Sequence, residues 1–423
     1  LNDWQAATPA PTDGLRLLGH RWSALAHEIK SYLARNLVPY HWMDVETSAE
    51  ARHLVALAGA QPTQLPLVLF PDGSHLAQPT IAQLAGRLGL RMHAERPSYD
   101  LIIVGAGPGG LAAAVYGASE GLRTLLIERE APGGQAGLSS RIENYLGFPS
   151  GLSGGDLARR AVAQATRFGA EILTPQEAVG LRVEGSLKYV KLADGSEIGC
   201  RALVIATGVA YRRLEVPGID SLVGAGVYYG ATVMDAAAHA GQDVFVVGGA
   251  NSAGQAAVGA ARTARTVTML VRADSLSDTM SSYLIEQLAQ TPNVTIRFQT
   301  TVQAVAGSPT LESITIADAT TGATETLPAG ALFVFIGASP HTSWLDGVIE
   351  RDTFGFVFSG NDVLALPRRG GWPLDRAPYT AETSVPGVFA AGDVRHGASR
   401  HVATSVGEGS ATIPLVWQYL ESV

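Results

Sequence analysis

The feature that most constrains this chain is the turn Gly105-Ala106-Gly107-Pro108-Gly109-Gly110, set between an apolar run from Asp100 to Val104 and an Ala-rich stretch. The run reads as a buried strand and the stretch as a helix. Thr124-Leu-Leu-Ile-Glu128 reads as a second strand, closed by an acid 18 residues after Gly110. Gly105 permits the tight turn, Gly107-Pro108 lets backbone approach a pyrophosphate at the helix N-terminus, and Gly110 lets helix and strand pack closely. Glu128 is placed to accept from a ribose. A second turn, Gly248-Gly-Ala250-Asn251-Ser252-Ala253, follows Asp243-Val-Phe-Val-Val and leads into a helix to about Ala264 and a strand from Thr266 to Val271. It echoes the first, so one dinucleotide-binding domain is inserted in another and the fold class is α/β. Its middle residue is Ala250, whose Cβ points toward the place of a pyrophosphate and weakens binding there.

Composition narrows the rest. A chain of 423 residues exceeds one hydrophobic core and implies two or three domains. Charged residues are 16%, below the usual ~25%, and the 48 glycines call for many tight turns. The net charge of −8 without a basic cluster argues against nucleic acid as a partner. No apolar run reaches the ~18 residues of a membrane span, Ala331 to Ala338 being the length of a buried strand. Cys200 is the only cysteine, so no internal disulfide can form, which suits a cytoplasmic location. The chain opens on Leu1, and an upstream segment can precede it.

Ahead of the first turn, after a start with Pro9 and Pro11, Leu15 to Gly19, Arg21 to Asn36, Tyr40 to Val45, Ser48 to Ala58, Leu65 to Phe70 and Ile81 to Leu90 read as strand, helix, strand, helix, strand and closing helix, with a hairpin turn at Asp72-Gly73. This order resembles a thioredoxin or glutaredoxin fold, with Pro66 where that family carries a cis-proline. The family's C-x-x-C is replaced by Gly19-His20-Arg21-Trp22-Ser23, which holds no sulfur. Another small α/β cap is the alternative. A linker at Glu95 to Ser98 gives expected boundaries at 1–95 for this domain, 96–217 with 340–423 for the first dinucleotide domain, and 218–339 for the inserted one.

From Tyr99 to Val423 the chain resembles the low-molecular-weight thioredoxin reductases and their flavoprotein relatives. The residues that carry the resemblance are Gly133-Gly134-Gln135, Arg141-Ile-Glu143-Asn144-Tyr-Leu-Gly147-Phe-Pro149, Ala202-Leu-Val-Ile-Ala206-Thr207-Gly208 and Gly387-Val-Phe-Ala-Ala-Gly392-Asp393. It implies FAD held by Gly105, Gly107, Pro108, Gly110, Glu128, Arg129, Gly134, Gln135, Asn144, Ala206, Thr207, Gly208, Gly392, Asp393, Arg400, His401 and Val402. It implies NAD(P)H at Gly248, Ala250, Asn251, Ser252, Ala253 and Arg272, and a homodimer. A buried Asp393 is satisfied by ribitol hydroxyls, and the helix opened by Arg400-His401-Val402 aims its N-terminus at the flavin. Loop, cap and surface roles are the plain alternatives for these residues.

The departures bear on function. Where the family carries its redox C-x-x-C, this chain reads Val227-Tyr228-Tyr229-Gly230-Ala231-Thr232-Val233-Met234-Asp235. Disulfide exchange needs a thiolate and a resolving thiol, and Cys200 lies elsewhere. The family's arginine run for a 2′-phosphate is reduced to Arg272, with Ser277 at the last position, so NADPH preference is expected to be weak. The stretch from Phe356 to Ala381, with Leu366, Arg368, Trp372, Arg376 and Tyr379, lengthens the connection before the Thr383-Ser-Val-Pro-Gly387 turn and shapes an acceptor site, a dimer contact or only a surface excursion. No acid, base or metal cluster stands out. The leading expectation is an FAD oxidoreductase passing electrons from NAD(P)H to a small-molecule or protein acceptor other than its own disulfide. The alternatives are an oxidase or dehydrogenase of a small molecule that discharges to oxygen, with Tyr228 and Tyr229 facing substrate or packing in the core, and a flavin-binding sensor or assembly protein.

Overall fold

The protein is described by a computed structural model covering residues 14–20, 23–36, 38–139, 142, 144–223, 225–229, 239–366 and 372–423. Readings that fall on Pro9, Pro11, Arg21, Trp22, Arg141, Glu143, the stretch from Gly230 to Asp235, and Arg368 lie outside the described residues.

The N-terminal segment runs β1 (Leu15–Gly19), α1 (Ala24–Arg35), β2 (Tyr40–Asp44), α2 (Ala49–Leu57), β3 (Leu67–Leu69), β4 (His75–Ala77) and α3 (Ile81–Arg87). The helices start where a side-chain oxygen of Ser23, Ser48 or Thr80 accepts a free first-turn amide. Strand order is β2-β1-β3-β4, parallel between β1 and β2 and antiparallel elsewhere. Leu17 and Leu18, neighbours on β1, point to opposite faces and are both fully buried in separate apolar clusters, so helices cover both faces of the sheet. The third strand starts at Leu67 rather than at Leu65, because Pro66 has no amide to give a ladder; the Leu65–Pro66 bond is cis.

A new sheet begins with β5 (Ser98–Val104), followed by α4 (Pro108–Ser119), β6 (Thr124–Ile127), α5 (Gly154–Arg167), β7 (Glu171–Leu173), β8 (Ala178–Glu184), β9 (Leu187–Leu192) and β10 (Glu197–Ile205). Its order is β7-β6-β5-β10-β9-β8. The first half of β10 pairs antiparallel with β9. After β11 (Val209–Tyr211), α6 (Ile219–Leu222) and β12 (Val227–Tyr229) comes the second dinucleotide pattern. It comprises β13 (Asp243–Val247), α7 (Asn251–Ala260), β14 (Thr266–Leu270), α8 (Ser282–Ala289) and β15 (Val294–Arg297). An antiparallel sheet of β16 (Thr300–Ala306), β17 (Ser313–Asp318) and β18 (Thr324–Pro328) intervenes before β19 (Ala331–Val334) completes the parallel order β12-β19-β13-β14-β15. β20 (Ala338–Pro340) pairs with β11. The chain ends with α9 (Asn361–Ala365), β21 (Val388–Ala390), which adds parallel to the second half of β10, and the long α10 (Val402–Glu421).

Contacts divide the chain into two compact units, 1–209 with 340–423, and 210–339. In this division the N-terminal segment groups with the first dinucleotide domain.

Candidate functional site

The first glycine turn is shaped by contacts a side chain would forbid. A Cβ on Gly105 (φ +103) would lie 2.4 Å from the Ala206 carbonyl oxygen, and one on Gly110 would lie 1.8 Å from the Gly105 carbonyl oxygen. These two glycines let α4 close on β5 and β10. Gly107 is different: its φ is −69 and a Cβ there would meet nothing within 4 Å, so its bareness leaves open space at the start of α4, with Pro108 as the first helical residue.

Other segments converge on this turn. Gly133 donates its amide to the Ala106 carbonyl at 2.7 Å, and Gly134 (φ +55) packs so closely that its Cβ would stand 3.0 Å from Gly107 Cα. At the end of β6 the Glu128 carboxylate accepts from the amides of Ala106 (2.7 Å) and Glu130 (2.9 Å). Burial pushes this carboxyl above its ordinary value against the pull of those amides. Arg129 lies against the His341 ring at 3.2 and 3.3 Å and pairs with Glu130 at 2.8 Å. Ala206 is held by the Val104 carbonyl, Gly208 takes φ +60, and the hydroxyl oxygen of Thr207 is buried with no partner among the described residues.

From the other side, α10 crosses α4 at Gly109 and Gly409, where a Cβ on Gly409 would lie 2.0 Å from the Gly109 carbonyl oxygen. This crossing brings the start of α10 to the turn after β21. Asp393 there accepts from the Ser405 hydroxyl at 3.1 Å, and burial raises its carboxyl while Ser405 and Arg400 oppose the rise. Gly392 (φ +78) donates to the Glu408 carboxylate at 2.7 Å, and Arg395 pairs with the second Glu408 oxygen at 2.8 Å. His401 caps α10 and Val402 is its first residue. Arg400 is exposed, its guanidinium 5.3 Å from the Phe356 ring centroid. Gln135 and Asn144 are exposed on the loops beside the second glycine pair.

The half-buried, raised carboxyls of Glu128 and Asp393, the Thr207 hydroxyl without a partner among the described residues and the bare Gly107 fit a dinucleotide laid across the turn. Each is a polar group or a gap that a ligand would satisfy.

The turn in the inserted unit is looser. Gly248 (φ +140) is again forced by a carbonyl, Phe335, at 2.5 Å from a would-be Cβ, while Ala253 stands where the first turn has Gly110. Ala250 adopts φ −102, an ordinary extended value, so its Cβ fills without strain the kind of space that Gly107 leaves open. The Asn251 side-chain oxygen accepts from the amide and hydroxyl of Ser281 at 2.8 and 3.1 Å, which commits it to the fold. Ser252 and Arg272 are exposed. Tyr228 and Tyr229 pack into cores: the Tyr228 hydroxyl lies 2.9 Å from His239, and that of Tyr229 accepts from the Leu214 amide at 3.0 Å.

Residues 99–409 match the sequence pattern described as "Pyridine nucleotide-disulphide oxidoreductase". The chain belongs to that family. Thioredoxin reductase of Treponema pallidum (strain Nichols) is 33% identical over 325 residues, 77% of this chain and 98% of the relative. Thioredoxin reductase of Bacillus subtilis (strain 168) is 33% identical over 330 residues, 78% and 97% of the respective chains. Among solved structures, thioredoxin reductase from Streptococcus pyogenes MGAS5005 aligns over 77% of this chain and 99% of its own, with 30% identity and a TM-score of 0.60. Thioredoxin reductases of the pyridine nucleotide-disulphide oxidoreductase family bind FAD and use NADPH.

Ser405, Glu408 and Arg395, which hold the Gly392-Asp393 turn, were not legible in the sequence. They are ordinary polar residues whose role depends on how α10 crosses α4. The long loop is also placed by folding. Arg376 forms a bidentate pair with the fully buried Glu382 at 2.7 and 2.9 Å, and Glu382 also accepts from the amide of Gly387, just before β21. The described part of the loop is thus anchored at the end of β21 opposite to Gly392-Asp393, although it adjoins that motif in sequence.

Proposed function

We propose that this chain is an FAD-dependent oxidoreductase that moves electrons from NAD(P)H through FAD to an acceptor other than a disulfide of its own. The observation that carries the reading is the convergence of Gly107, Glu128, Thr207 and Asp393 on one glycine turn in a chain with a single, buried cysteine. Cys200 is fully buried on β10, and burial pushes its thiol up to about 12, so it offers no thiolate near neutral pH. Bound FAD supplies the two-electron chemistry. The residues of the chain bind and orient: Glu128 takes the ribose, Gly107 and Pro108 the pyrophosphate, and Asp393 the ribitol. The first turn of α10, opening at Val402, presents the helix's positive end to the flavin, while His401 gives its own amide to the Ser399 carbonyl at 2.8 Å. Gln135, Asn144 and Thr207 complete the hold.

Ala250 and the lone Arg272 favour a nicotinamide site with little preference for the 2′-phosphate. The strand order of the N-terminal segment accompanies our reading of it as a thioredoxin-like domain without redox sulfur, a surface for the acceptor or for a second copy in a homodimer. The occupied Asn251 and the added Cβ of Ala250 favour a second reading, in which the inserted site has decayed and a small molecule reduces the flavin before oxygen reoxidises it. Rapid mixing of the anaerobic protein with NADH or NADPH separates the two. The first reading expects the flavin band to bleach with both at comparable rates; no bleaching with either sinks it.

A further inference from the structure

The N-terminal domain grips the loop that carries the ribose carboxylate. α1 ends at Arg35, whose guanidinium pairs with one Glu130 carboxylate oxygen, while Arg129 takes the other at 2.8 Å. Asn36, the C-cap of α1, donates its side-chain amide to the Glu130 carbonyl at 3.4 Å and to that of Tyr32 at 3.0 Å. Glu130 in turn donates its own amide to Glu128 at 2.9 Å. The strand-end segment behind Glu128 is held from the same domain's tail: Thr174 donates its amide to the Arg91 carbonyl at 2.9 Å, and Gln176 its side-chain amide to that of Met92 at 2.8 Å. The backbone of Glu128 is paired with this segment, donating to Leu173 and accepting from Gln176.

We propose that the N-terminal domain is a structural part of the FAD site, with Arg35 as a positioning residue that fixes Glu130 and, through the Glu130 amide, the Glu128 carboxylate at the adenosine ribose. This rests on the FAD reading above. Arg35 does not touch the cofactor. A cation in the last turn is where a helix favours one, and here it is turned outward onto the neighbouring domain. The same cation lowers the Glu128 carboxyl against the burial that raises it. Because the Arg35 side chain is 27% exposed and that of Glu130 46%, the pair is a modest one.

The test is the rate at which FAD leaves the full-length holoprotein, followed by flavin fluorescence on dilution, in a cycle of Arg35→Ala, Glu130→Ala and the double variant. Arg35→Gln, which keeps a stem and removes the charge, is read in parallel. The expected result is release about threefold to fivefold faster in both Arg35 variants, the size of one half-exposed ion pair. In the Glu130→Ala background the Arg35 change should have a clearly smaller effect, since only its direct pull on the Glu128 carboxyl remains. Release at the wild-type rate in both Arg35 variants, or an undiminished Arg35 effect without Glu130, overturns the proposal. A purified wild-type chain without FAD overturns the cofactor reading as well, so the two failures are distinct.

Discussion

At the scale of single residues, the glycines of the first turn divide by what crowds them, and the division predicts different phenotypes. Gly105→Ala meets both a positive φ and the Ala206 carbonyl, so it should lower stability by at least about 2 kcal/mol as well as FAD content. Gly107→Ala meets nothing within 4 Å and needs no unusual φ; its unfolding midpoint should stay near wild type while FAD affinity falls about tenfold or more. Urea melts of the flavin-free proteins beside FAD titrations check both. Gly105 and Gly110 were legible because geometry forces their type; Gly107, Thr207 and Glu128 followed from their motifs. The pair Lys188 and Cys200 was not legible. Lys188 is fully buried on β9 opposite Cys200, and donates to the Tyr419 hydroxyl at 2.6 Å and to two carbonyls. Burial lowers its amine to about 8. An unfolded lysine at ~10.4 binds the proton that the folded one has lost, so Lys188 makes stability rise from pH 8 upward, at up to ~1.4 kcal/mol per pH unit. Cys200 acts oppositely: its folded thiol stays protonated to about 12 while an unfolded one ionises near ~8.5, so its contribution is lost as pH rises above that. Urea midpoints between pH 8 and ~9.5 should therefore climb with pH in Cys200→Ala and fall in Lys188→Met, with wild type between. Parallel slopes in all three would contradict the assignment.

At the scale of elements, the sequence carried the strands and helices whose period and caps are local, and missed what depends on crossings. Ser48 and Thr80 mark their helices by their own hydroxyls. The order β7-β6-β5-β10, with β21 joining β10 from the far end of the chain, is a tertiary choice of which apolar strands meet. The loop after α9 is the clearest case. Its aromatic and arginine content suggests an acceptor surface, yet Arg376 lies over the Tyr379 ring at 4.0 Å and is spent on Glu382. Arg376→Met leaves a fully buried carboxylate without its paired cation, supported among the described residues by the amides of Tyr379 and Gly387. It should cost about 3 kcal/mol of stability with the absorbance of bound flavin unchanged, read from thermal or urea melts of the holoprotein. A variant as stable as wild type would show that the loop is not anchored there.

At the scale of the molecule, two units share one chain, and the first contains both the proposed FAD cradle and the segment that precedes it. The family match begins at residue 99, so the N-terminal segment is an addition to a shared frame, and its grip on Glu130 ties that addition to the cofactor. The sequence offers one cysteine, Cys200, and it is buried. The most direct test of this account is therefore a stoichiometric one, an anaerobic titration of the yellow holoprotein with NADH or NADPH at the flavin band. With no disulfide to fill, bleaching should be complete at about one equivalent of nicotinamide per FAD. Uptake of about two equivalents would reveal a second two-electron centre and contradict the claim that the flavin is the only redox group of the chain.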